Sequence, residues 1–444
     1  MPHSHADAPT AGDDCYALLD DATATPGQPT SRLYTGFLRE IRCTDPAGLA
    51  QAWQEADAAM RGGAHAVLLG DYEWGMALHG LGHLAAAGPR EPALRILLFR
   101  KLARLSRAQV DGWLASMDGA TPSPARVGAL QPSVDRPAFH TAIARIHEAL
   151  RAGETYQVNY TYRIDFEASG SPVGLYRRLR ARQPVAYGAL IALPHDAQQP
   201  FILSCSPELF LRHEDGRLTA RPMKGTARRG TTPPEDRSIA RMLASDAKNR
   251  AENLMIVDLL RNDLGRVAQI GSVRVPALFS IEPYASVFQM TSTVEAVLPE
   301  AVSMPALLRA LFPCGSITGA PRHHTMELIA ALETSPRGLY TGAIGWADTP
   351  APGSARACGS FCLSVAIRTL VLGPARGGVR AGRMGVGAGI VLDSEAESEF
   401  EECALKAAFL TGLAPDPAPA RYHVRDLAIP DLIVTRTAHA ARTI

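Results

Sequence analysis

A few charged side chains stand where the surrounding sequence is apolar or sharply turned, and they define the chemistry this chain could do. Lys224 lies in Arg221-Pro222-Met223-Lys224-Gly225-Thr226. A proline and a glycine near it break regular structure, which predicts a turn that aims the ammonium in one direction; a surface lysine is the plain alternative. Glu208, in Ser206-Pro207-Glu208-Leu209-Phe210, interrupts a strand-like apolar run. Facing inward it would need a partner or a raised pKa, and facing outward it would be an ordinary strand acid. Glu252 shares a helix face with Met255, Ile256 and Leu259, the face expected to turn to the core. Glu399, Glu402 and Lys406 fall at i, i+3 and i+7 of a later helix. Glu402 and Lys406 could form an ordinary helix salt bridge, or Glu252 and Glu402 could hold Mg²⁺, which takes few carboxylates and keeps positions for water and a substrate anion. Arg368, in Ala366-Ile367-Arg368-Thr369-Leu370, could clamp a carboxylate in bidentate fashion or face solvent.

Glycines mark where backbone could meet a ligand. Gly385-Val386-Gly387-Ala388-Gly389 lies in a strand-like segment, and missing side chains there permit close approach or tight packing. Pro313-Cys314-Gly315-Ser316-Ile317-Thr318-Gly319-Ala320-Pro321 opens into a helix, so its free amides could meet an anion, although no Gly-Lys-Ser/Thr follows to make a phosphate loop. His79 and His83, and His323 with Glu327, lack the further ligands of a zinc site.

The elements that must position these groups read as follows. Ala64 to Leu69 is a short apolar run between turn residues, hence a buried strand. Ser106 to Gln109 looks like a capping box. Helical spacing predicts a helix over Pro137 to Ala152, and alternation predicts a half-buried strand over Tyr156 to Phe166. Further strands are expected at Ala186 to Leu193, Phe201 to Arg212, Tyr340 to Trp346, Phe361 to Leu372 and Gly385 to Leu392. Helices are expected at Arg237 to Leu264, broken once, and at Met304 to Leu311, Pro321 to Leu332 and Ser394 to Leu413. Strands in succession with a few long helices indicate an α+β core. Prolines 122, 124 and 132 make Thr121 to Ser133 the expected linker. The division is then 13–121 as an N-terminal α/β part packed on the core, 134–413 as the catalytic core, and 414–444 as a loosely held tail.

Composition narrows the function. With 46% hydrophobic and 20% charged residues the chain has ample core material. Its 45 basic against 44 acidic side chains leave a net charge of +1, no excess with which to neutralise nucleic acid or an anionic membrane. Seven cysteines, mostly far apart, do not suit a disulfide framework. Met1 to Asp14 carries no signal-like apolar stretch and no later run is long enough to span a bilayer, so a cytoplasmic protein with a small-molecule substrate is expected.

Taken in order, these motifs resemble the chorismate-utilising enzymes, the family of the large components of anthranilate and aminodeoxychorismate synthases and of isochorismate synthase. The likeness runs from about Pro137 to Leu413 through Ser206-Pro207-Glu208, Pro222 to Thr226, Glu252 to Arg266, Phe312 to Pro321, Ile367 to Thr369, Gly387 to Gly389 and Glu399 to Lys406. It implies a large antiparallel β-sheet sandwich with flanking helices, like that of the anthranilate synthase large component. It also implies a lysine at the position of Lys224 in the aminodeoxychorismate branch, where anthranilate synthases have alanine. On this resemblance Lys224 attacks chorismate as a neutral amine, Glu208 is the general acid, and Glu252 and Glu402 hold Mg²⁺. Arg368, Tyr340 and Lys406 grip the substrate, and Thr226, Gly387 and Gly389 add polar or backbone contacts. The implied reaction makes 4-amino-4-deoxychorismate, with ammonia from a separate glutamine amidotransferase. Anthranilate or isochorismate chemistry, or chorismate binding without turnover, are the alternatives. Two departures stand out: Gln289 replaces the family's histidine, and Ala17-Leu18-Leu19-Asp20-Asp21 replaces the Leu-Leu-Glu-Ser type motif of relatives that bind tryptophan.

Overall fold

The computed structural model describes residues 15–88, 90–119, 125–194, 197–284 and 287–413. The expected tail after 413 and part of the expected linker, 121–124, lie outside them.

One continuous antiparallel ladder can be followed through 18 strands. Arg274–Pro283 and Met223–Arg228 both pair with Val287–Val297. The ladder then runs through Arg217–Arg221, Leu209–Glu214, Phe361–Val365 and Ala343–Ala347. His65–Gly70 joins Ala343–Ala347, and Leu94–Leu105, Ser31–Cys43 and Tyr16–Asp20 lead on to Tyr187–Ala192. Phe201–Ser206, Thr369–Arg376, Val379–Ile390 and Gln157–Ser169 complete it, with Arg126–Pro132 and the short Gly319–Ala320 on the last. The four strands that precede residue 121 are therefore hydrogen-bonded on both sides to the two wings of the sheet and bridge them.

The wings stack because their strands alternate. Val67 and Leu69 of a bridging strand, Ile344 of one wing, and Ala189, Ile191 and Ile202 of the other belong to one buried cluster between the layers. Their neighbours in sequence turn outward under helices. Leu190 and Ala192 pack with the helices Arg107–Asp118, Arg136–Arg151 and Ala396–Thr411, and Ala66 and Leu68 pack with Leu49–Arg61, Ala247–Gly265 and Met304–Leu311. The result is the expected sandwich of antiparallel sheet flanked by helices.

Local chemistry sets the helix ends. Asp135 caps Arg136–Arg151 by accepting from Ala138 N at 2.9 Å, with Pro137 in the first turn. Phe139, Ala142, Ile143, Ile146 and Leu150 are buried, and Phe139 meets Phe400 at 5.3 Å between ring centres, which seats the Ala396–Thr411 helix. The Ser106 capping box forms with both of its bonds. The break expected within 237–264 falls at Asp246, which ends Pro233–Ser245 and caps Ala247–Gly265 through Asn249 N at 2.8 Å.

Three expectations change. Arg126–Pro132 is an edge strand rather than linker; a proline fits there because an edge strand leaves one row of amides unused. Tyr340 lies in a turn ahead of the Ala343–Ala347 strand, not within a strand, and its neighbour Thr341 adopts φ 59°. Gln157–Ser169 is buried on both faces: Gln157, Thr161 and Arg163 are each 1% exposed. Thr161 and Arg163 turn to the buried Glu333 carboxylate, not to water.

Candidate active site

The site forms where the chain passes between wings. Phe201–Ser206 crosses through Pro207 and Glu208 into Leu209–Glu214, and Phe361–Val365 crosses back through Ile367 and Arg368 into Thr369–Arg376. The crossings lie side by side. Val365 N donates to Glu208 O at 3.1 Å, Cys205 N to Arg368 O at 3.0 Å, and Ser206 Oγ to Val365 O at 2.6 Å. Arg368 adopts φ 50°, a left-handed turn in a non-glycine residue. Residues 160 apart are thus brought to one seam.

Glu208 is 5% exposed and its Oε1 accepts from Ser316 Oγ at 2.7 Å. Burial pushes its pKa up to about 7, against the Ser316 hydrogen bond and the charges of Lys224, Lys406 and Arg368. An acid so poised is protonated around neutrality and can donate. Burial pulls Arg368 below the ordinary arginine pKa, and among the described residues no carboxylate pairs with it. The Gln183 amide, turned with its oxygen toward the guanidinium, accepts from it. An enclosed cation without a counter-charge suits an anionic substrate group.

Val379–Ile390 presents Gly385, Gly387 and Gly389 on one face, and each gap is filled differently. A Cβ on Gly389 would overlap Lys224 Nζ and stand 2.9 Å from Gln157 Nε2. Lys224 and Gln157 therefore converge on the same backbone. Gln157 is 1% exposed, and neither of its amide atoms has a partner. Gly387 O accepts from Lys406 Nζ at 2.8 Å. The ring of Tyr340 occupies the space a Gly385 side chain would take, with Arg163 5.2 Å from the ring centre. Lys224 lies on Met223–Arg228 where pairing with Val287–Val297 is irregular, and Gly225 takes φ 85° against the Asn249 side chain. The turn expected around Lys224 is this bulged strand. Thr226 lies opposite Gln289, whose Nε2 donates to Thr226 Oγ1 at 3.0 Å; the amide keeps a hydrogen bond there but carries no titrating proton.

The carboxylates gather beside Lys406. Glu402 Oε1 meets Lys406 Nζ at 2.7 Å, so the helix salt bridge does form. Burial alone would raise the Glu402 pKa, but the Lys406 ammonium outweighs it and holds the carboxyl low. Burial likewise pulls Lys406 down, and Glu402 returns its pKa above the lysine value. Glu399 is 4% exposed; burial raises its pKa, and the charges of Glu402 and Glu252 add to the rise. Its nearest cation is Lys248 at 3.9 Å. Among the described residues no three His, Cys, Asp or Glu stand close enough to ligate a metal alone. Carboxylates whose charges reach one another, as those of Glu402 and Glu252 reach Glu399, fit a hard cation that also keeps water and substrate oxygens.

Sequence reasoning missed Ser316, read only as part of a glycine loop; Gln157, read as an outward strand residue; and the buried set Arg163, Glu333 and Arg337. Glu333 bonds Arg163 Nη2 at 2.9 Å and Arg337 Nη2 at 2.6 Å. A polar alternation inside an otherwise buried segment is the one signal that could have flagged Gln157 and Arg163.

Comparison with known proteins fits this geometry. The profile of the family described as chorismate binding enzyme matches residues 22–412. The chain belongs to the chorismate binding enzyme family. It is 40% identical over 330 residues to the aminodeoxychorismate synthase of Streptomyces griseus, covering 71% of this chain and 43% of that one. It is also 40% identical over 293 residues to aminodeoxychorismate synthase component 1 of Salmonella typhimurium, covering 65% and 60%. Among solved structures, anthranilate synthase component I from Streptococcus pneumoniae superposes with a TM-score of 0.62 at 26% identity, covering 78% of this chain and 80% of that one. The match spans 43% to 60% of the length of these two curated relatives.

Proposed function

We propose that this member of the chorismate binding enzyme family converts chorismate and ammonia into 4-amino-4-deoxychorismate and water. The observation that carries the reading is Lys224 Nζ, packed on Gly389 beside the unpartnered Gln157 amide and in the electrostatic reach of Glu208. The Lys224 amine attacks C2 of the ring as the C4 hydroxyl leaves with the Glu208 proton, so that water departs and the ring is held on the lysine. Ammonia then attacks C4, the C2–N bond breaks, and Lys224 is released. The Gln157 amide can accept a hydrogen bond from an amine at this spot. Arg368 and Lys406 meet the substrate's anionic groups, the Tyr340 ring walls the pocket, and the Gly387 carbonyl and Thr226 hydroxyl offer polar contacts.

Glu252 and Glu402, with Glu399 beside them, would hold Mg²⁺, which would orient the substrate and offset its carboxylate charge. A chelator should then abolish turnover and added Mg²⁺ restore it. The name component 1 in the Salmonella relative suits a further reading, that a partner glutamine amidotransferase delivers the ammonia. Among the described residues no helix is long and apolar enough to cross a membrane, and a cytoplasmic setting belongs to the same reading.

The test is mass spectrometry of the product from chorismate, ammonium and Mg²⁺. Finding 4-amino-4-deoxychorismate supports the proposal; finding only anthranilate, isochorismate or salicylate, or binding without turnover at saturating ammonia, rejects it.

A further inference from the structure

The glycine-bearing loop before the Arg322–Leu332 helix is buried from Phe312 to Gly319, and what it brings to the cleft is a hydroxyl. Ser316, 6% exposed, donates to Glu208 Oε1 at 2.7 Å, while Glu208 Oε2 takes no hydrogen bond among the described residues. The loop is held from several sides. Thr318 Oγ1 donates to Cys314 O and Gly315 O, both at 3.1 Å. Asn159 Nδ2 and Arg337 Nη1 donate to Ile317 O at 3.1 and 2.8 Å. Gly315 leaves no room for a Cβ against Leu259. Such bracing fixes the hydroxyl with little entropy left to lose.

We propose that Ser316 is a positioning residue for the proton donor: its hydroxyl engages Oε1, assigns the proton to Oε2, and stabilises the carboxylate as that proton leaves. The proposal rests on the reading of Glu208 as the general acid and adds the group that aims it. A hydrogen bond donated to a carboxylate strengthens as charge develops, so it favours the later state over the earlier one. The other groups facing Glu208 are Lys224, Lys406 and Arg368, whose charges favour its ionised form, and the Cys314 thiol. That thiol lies 3.2 Å from Ser316 Oγ and burial pushes it up to about 12, so it stays neutral.

The test begins without substrate. The carboxyl band of Glu208 is followed by infrared difference spectroscopy against Glu208→Gln across pH. In Ser316→Ala the midpoint should rise by about one unit, because a donor to the charged form is lost. Ser316→Cys, which keeps the size but weakens the donor, should move it the same way, and Ser316→Thr should leave it near the wild-type value. With chorismate, ammonium and Mg²⁺, Ser316→Ala should lower kcat by about ten- to hundredfold and move the basic limb of the rate profile upward. KM should stay within about threefold, as expected for an interaction that matters in the transition state. An unmoved midpoint in both Ser316→Ala and Ser316→Cys overturns the proposal, as does a Ser316→Thr enzyme as impaired as Ser316→Ala when both keep the wild-type circular dichroism. If the midpoint moves while the product is not 4-amino-4-deoxychorismate, the pairing of Ser316 with Glu208 stands and the proposed reaction falls.

Discussion

Lys224 and Glu208 meet different demands, and substitutions separate them. Lys224→Ala removes the proposed nucleophile and should cut formation of 4-amino-4-deoxychorismate by more than about a thousandfold, or redirect the product, in a quantitative product assay. Gly389→Ala retains the lysine, but its methyl group would overlap Nζ and displace the end of the side chain. It should lower kcat about tenfold or more while circular dichroism and Tm stay close to wild type. Glu208 must be protonated to act and its pKa sits at about 7, so the rate limited by proton donation should fall as pH rises through that value, and Glu208→Gln should remove this limb along with most of the activity. Glu208 and Arg368 stood out in the sequence because each charge interrupts an apolar pattern, Lys224 because a proline and a glycine flank it, and the Glu402–Lys406 pair because of its helical spacing. Gln157 and Ser316 were not. Their roles come from neighbours far away in sequence, and a neutral polar residue in a strand or loop gives no warning that it is buried.

At the scale of elements, the short helix Tyr72–Leu78 acts as a clamp. Glu73 accepts from Arg337 N at 2.6 Å and Gly338 N at 2.9 Å, and Tyr72 N donates to Gly338 O at 2.8 Å. It thereby pins the turn that carries Tyr340 to the site. Burial raises the Glu73 pKa to about 7, against the hydrogen bond from Arg337 N. The folded protein keeps this proton while the unfolded chain releases it near its ordinary value, so Glu73 contributes stability in full at low pH that is lost as pH rises from about 4.5 through about 7. Calorimetry should show Tm falling over that range. In Glu73→Gln, whose amide oxygen can still accept, the decline should be smaller by a few degrees. The helices were readable from spacing and caps, as with the Ser106 capping box and the apolar face that begins at Phe139, because those signals are local. The Tyr340 turn and the strand at Arg126–Pro132 were misread because distant partners override local preference: Glu73 fixes one, and pairing with Gln157–Ser169 fixes the other.

Across the whole molecule, the strands before residue 121 occupy the middle of the ladder between Ala343–Ala347 and Tyr187–Ala192. The proposed core 134–413 expressed alone would expose two long edges and part of the layer between the wings. It should show no cooperative melting transition by calorimetry, and a stable, active fragment would overturn this expectation. The order of strands in the ladder could not be read from the sequence, since pairing of His65–Gly70 with Ala343–Ala347 depends on closing a long stretch of chain.

The two crossings at Glu208 and Arg368 carry a kinetic consequence. Each joins a strand of one wing to a strand of the other, so neither residue is correctly placed until both wings have formed and docked. Sheets built from such distant contacts fold slowly. A partly folded chain thus has no half-built acid or anion clamp with which to capture substrate, and on refolding from denaturant, activity should return only with the slowest tertiary phase, never with the earlier gain of secondary structure.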